Sequence, residues 1–62
     1  MNFLKIGNLI FIGIDSSDTD IKRKYVKMTD YAGILSLTDI YTYDEIKAVH
    51  PDIKESNRLL DL

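Results

Sequence analysis

A chain of 62 residues with no cysteine, one histidine and a formal net charge of −2 makes one small domain, residues 1–62, which can bury only about 60% of the surface its unfolded form exposes. The missing thiols exclude a disulfide framework, and a lone imidazole leaves no ligand set for a structural zinc, so no metal and no cofactor is expected. The acidic balance points away from a general binder of nucleic acid or of anionic membranes.

The N-terminal stretch MNFLKIGNLIFIGID is interrupted by Gly7, Asn8 and Gly13, which leaves its apolar runs too short for a secretion signal or a membrane span. A cytoplasmic location is therefore expected, with no membrane partner. Residues 2–14 divide at Gly7-Asn8, where glycine first and asparagine second suit a two-residue type II′ hairpin turn; one long strand with a glycine bulge is the alternative. In LIFIGID, residues 9–15, side chains alternate across the strand: Ile10, Ile12 and Ile14 point to one face, Leu9 and Phe11 to the other.

The polar run DSSDTD, residues 15–20, has strong turn chemistry. IKRKYVKM, residues 21–28, reads as a third strand with Arg23, Tyr25 and Lys27 on one face. After a turn at TDYAG, residues 34–41 (ILSLTDIY) read as a strand, the first turn of a helix being the alternative. From Thr42 the period becomes helical: Thr42 and Glu45 have capping-box spacing, and Ile46, Val49, Ile53 and Leu60 recur on one stripe. Pro51 interrupts it. A first helix is expected to end near Val49 and a second to start at Pro51, with Asp52 and Glu55 in its first turn. The fold class is α+β: a small antiparallel β-hairpin or meander of three to four strands followed by one or two short C-terminal helices.

Little in this chain has the pattern of a reaction centre. Asp15, Asp18 and Asp20 lack the glycine and the terminal glutamate of a calcium loop and read as turn residues. Imidazole is the side-chain type suited to acid-base work near neutrality, and no nucleophile or carboxylate stands at a motif spacing from His50, its single instance, so the chain is read as not an enzyme. Lys47, Lys54 and Arg58 read as a solvated stripe rather than part of a helix-turn-helix.

The residues point instead to partners. If the C-terminal helical segment covers one face of the sheet, Leu9 and Phe11 on the other need a second surface, and a homodimer interface is the expectation. Arg23, Tyr25, Lys27, Tyr31, Tyr41 and Tyr43 form the expected partner-binding set, because aromatic and basic anchors carry most interface energy. The frequent Ile, Lys, Asp and Tyr match the bias of AT-rich coding. The resulting expectation is a small protein-binding module, most concretely a phage-encoded inhibitor that occludes a host enzyme or defence protein. The alternatives are a nucleic-acid-binding regulator using the basic stretch 22–27 and a structural or assembly subunit.

Overall fold

The computed structural model describes residues 2–31 and 39–62. They form strand β1 (Phe3–Ile6), strand β2 (Leu9–Gly13), strand β3 (Tyr25–Lys27), helix α1 (Met28–Tyr31), strand β4 (Ile40–Tyr41), helix α2 (Tyr43–Val49), strand β5 (Lys54–Ser56) and a 3₁₀ turn at Leu59–Asp61. The sheet order is β4-β3-β2-β1-β5, with every neighbouring pair antiparallel. The chain is thus a small α+β fold, with one strand more than the sequence led us to expect.

The hairpin forms at the expected place. Ile6 pairs with Leu9, leaving Gly7 and Asn8 as the two-residue loop. Gly7 takes φ +56°, and Arg23 is the only other described residue with a positive φ. Positive φ at the first central residue alone is the type II′ pattern, whose twist matches that of the strands.

α2 begins as the capping box requires. The Glu45 N–H donates to Thr42 Oγ1 at 3.1 Å and the Thr42 N–H donates to Glu45 Oε1 at 2.9 Å, satisfying two backbone donors reciprocally. The helix ends at Val49 with His50 as its C-cap, in line with the constraint that Pro51 imposes on the preceding residue.

Beyond Pro51 the structure departs from the expected second helix. Ile53 is buried in the core and residues 54–56 pair along β1, Leu4 opposite Glu55. The open edge of β1 offers a row of N–H and C=O groups that the returning chain satisfies. That gain outweighs the weak helical signal of the segment. Leu60, expected on the apolar stripe, is 90% exposed, and Val49 is 71% exposed.

The basic strand is also shorter than expected. Ile21 and Lys22 donate backbone N–H bonds to the Asp18 carbonyl and Lys24 donates to Ile21, so residues 18–24 turn. Arg23 has φ 63°, left-handed geometry that a strand excludes. Strand geometry starts only at Tyr25. Of the expected strand 34–41, Ile40–Tyr41 is β4 and residues 34–38 lie outside the described residues.

The main core joins Leu4, Phe11, Tyr25, Ile46 and Ile53, with Ile6, Leu9, Tyr41 and Tyr43 packed around it. The register places Leu4, Phe11 and the Gly13-Tyr25 pair on the face that α2 covers. On the opposite face Ile12 and Val26 are paired neighbours and both are buried, Val26 completely. Each such burial stabilises by about 1.5–3 kcal/mol. Both faces of β2 thus bury apolar side chains within one chain. Phe11 lies in the chain's own core, which removes it from the expected dimer seam, and Leu9 is half-buried against that core.

Candidate functional site

Two concavities flank α2 on the face it covers. The first is an open hollow of about 750 Å³ beside the start of the helix. Tyr25, at the head of β3, forms its floor. The Asn2 amide nitrogen donates to Tyr25 Oη at 2.8 Å and to Glu55 Oε2 at 2.8 Å, tying the residue before β1 to β3 and β5. The Gly13 N–H donates to the Asn2 carbonyl at 2.7 Å. A Cβ on Gly13 would stand 3.1 Å from that same oxygen and 3.4 Å from the Tyr25 ring, so the close approach depends on the bare glycine. Tyr43 stands over Tyr25, ring centroids 6.4 Å apart and tilted by 49°. Asp15 and Arg23, both exposed, stand at the rim.

The second concavity is a smaller, more apolar groove of about 200 Å³ along the C-terminal half of α2. Leu9, Phe11 and Tyr41 line it from the sheet, Val49 from the helix, and Lys27 and His50 from its edge. Tyr41 stands edge-on to Phe11, centroids 6.1 Å apart. That contact fixes one wall of the groove, since edge-to-face aromatic pairs have a preferred geometry.

The structure therefore splits the expected partner set. Arg23, Tyr25 and Tyr43 gather at the hollow, whereas Lys27 and Tyr41 line the groove together with the expected seam residues Leu9 and Phe11. Tyr25 is 7% exposed and belongs to the core, which removes it as a surface anchor. Tyr31 is 45% exposed and lines neither concavity. Asn2, Glu55 and Val49 were not anticipated as site residues. Asn2 acts through partners 23 and 53 residues away, and no local pattern signals such a link.

Glu45, at the groove, has a titration displaced by its cap. The Thr42 backbone N–H holds its carboxylate below the usual range, with the Thr42 hydroxyl next in effect and the positive charge of Lys24 adding to both. Among the described residues no three His, Cys, Asp or Glu side chains cluster as a metal would require, and no helix is long and apolar enough to cross a membrane. Comparison with family models, with curated proteins and with solved structures finds no match.

Proposed function

We propose that this chain is a small non-enzymatic protein-binding module that works by covering a partner's surface. The observation that carries the reading is the apolar groove between α2 and the sheet, with the exposed Val49 on its lip. An apolar side chain of the partner would enter between Tyr41 and Val49, with polar partner groups meeting Lys27, Glu45 and His50 at the edge. An apolar centre within a polar rim is the usual anatomy of a protein interface. Such binding needs no reaction centre and no second copy of the chain. Its most concrete form is an inhibitor that occludes a host enzyme or defence protein, for which the AT-rich coding bias supports a phage source.

The test compares capture from a bacterial lysate by the wild type and by Val49→Glu. Because Val49 is largely exposed, the charge should leave the fold intact while blocking apolar docking. A partner held by the wild type and lost by the variant supports the reading. Equal capture by both excludes the groove, and the absence of any captured protein rejects the module.

A further inference from the structure

The hollow beside the start of α2 has a hydrogen-bonding balance that selects the charge of its occupant. Both hydrogens of the Asn2 amide are committed, one to Tyr25 Oη and one to Glu55 Oε2. Glu55 is a carboxylate and can only accept, so the nitrogen of Asn2 must be the atom that faces it. What Asn2 still offers is its carbonyl oxygen, an acceptor. Glu55 keeps its second oxygen, and the Asp15 carboxylate stands at the rim. Against these acceptors stand the Tyr25 hydroxyl proton and the Arg23 guanidinium. Two carboxylates thus face one guanidinium. Among the described residues the only ion pair joins Arg58 to Asp61, so neither carboxylate is paired with Arg23. Tyr43 adds a half-buried aromatic ring at the same place.

From this balance we infer that the hollow receives a basic side chain, a guanidinium or ammonium group, presented by the protein partner. The inference rests on the protein-binding reading and adds the chemistry of the second contact. A donor-rich cation finds acceptors at Asn2, Glu55 and Asp15 and an aromatic face at Tyr43, the combination that holds cations against rings. A phosphate would meet two carboxylates and an amide whose donors are already committed. The nucleic-acid alternative is disfavoured at this site for the same reason.

The experiment is an NMR titration of the isotope-labelled chain with three probes: acetyl-Gly-Arg-Gly-amide, acetyl-Gly-Glu-Gly-amide and inorganic phosphate. The arginine peptide should move the Asn2 side-chain amide and the Gly13 backbone resonance saturably, with a dissociation constant on the order of 1–10 mM for so small a probe. Asp15→Asn combined with Glu55→Gln should weaken that binding about fivefold or more, since the glutamine amide would keep an oxygen for Asn2 and lose only the charge. Arg23→Gln should tighten it. The inference is overturned if the arginine peptide gives no saturable shift, if the glutamate peptide or phosphate saturates the same resonances, or if the double variant binds as well as wild type. Capture through the groove, tested with Val49→Glu, is a separate measurement. Intact capture with a silent titration rejects the basic-side-chain pocket and leaves the module standing.

Discussion

Tyr41 stands edge-on to Phe11, with 6.1 Å between ring centroids and 84° between planes. Phe11 is 3% exposed and holds the centre of the core, so Phe11→Ala should cost about 3–5 kcal/mol. Phe11→Asp should unfold the chain instead of separating two intact copies, as a dimer seam would have allowed. Tyr41 is half-buried, and Tyr41→Ala should cost less, on the order of 1–2 kcal/mol. Urea denaturation of the two single variants and the double variant checks this. The pair should show a coupling of about 0.5–1.5 kcal/mol, and strict additivity would contradict the contact.

The reciprocal cap at Thr42 and Glu45 makes a second prediction. Thr42→Ala should lower stability by about 1 kcal/mol. The pH dependence follows from the lowered pKa of Glu45 in the fold. Because the folded value is depressed, the stability that Glu45 contributes is present above the unfolded pKa and is lost as pH falls through the folded one. Glu45→Gln resembles the protonated form and can still accept from the Thr42 N–H. Wild type should therefore melt higher than Glu45→Gln at neutral pH, and the two should converge as pH falls from about 6 to about 3. A constant gap across that range would show that the carboxylate charge plays no part.

These two cases mark what local sequence could and could not convey. The cap and the Gly7-Asn8 hairpin were legible because each is settled by residues no more than three apart, through hydrogen bonds or a φ preference that those residues alone determine. The face assignment of β2 was not. Alternation separates Leu9 and Phe11 from Ile10, Ile12 and Ile14, yet which set meets the helix depends on where α2 packs. β5 was illegible for a related reason: Lys54, Glu55 and Ser56 have little strand propensity and become a strand because β1 presents an open edge. Of the candidate site, the individual tyrosines and basic residues could be named, but not their division between hollow and groove, which Asn2 and α2 impose from a distance.

Two backbone positions with left-handed φ should respond oppositely to substitution. Gly7 has φ +56° and open space where a Cβ would go, so Gly7→Ala meets no neighbour but strains its own backbone, since an L side chain disfavours that φ. It should destabilise by about 1 kcal/mol. Arg23 already bears that strain at φ 63°, and its exposed side chain makes no ion pair among the described residues. Arg23→Gly should raise the melting temperature, by a few degrees for about 0.5 kcal/mol gained after the entropy cost of glycine. A lower melting point for Arg23→Gly would mean that its side chain contributes more to the turn than the strain costs.

Ile53 makes the last prediction, because it decides whether the returning chain becomes a strand. It is 6% exposed and joins the core with Leu4 and Ile46, immediately before the three residues that pair with β1. Outside the backbone ladder, β5 is tied to the rest by the Asn2–Glu55 hydrogen bond, a contact at the surface that contributes only about 1 kcal/mol. Ile53→Ala should therefore cost about 2–5 kcal/mol, and part of that loss should appear locally. In a hydrogen-exchange measurement under native conditions, the amides of Lys54, Glu55 and Ser56 should lose protection more than those of β2 and β3, since an edge strand without its anchor opens in a sub-global step. Asn2→Ala should produce the same local pattern with a smaller global cost. If Ile53→Ala instead lowers protection uniformly across the sheet, β5 and the core unfold as one unit and Ile53 is no separate anchor.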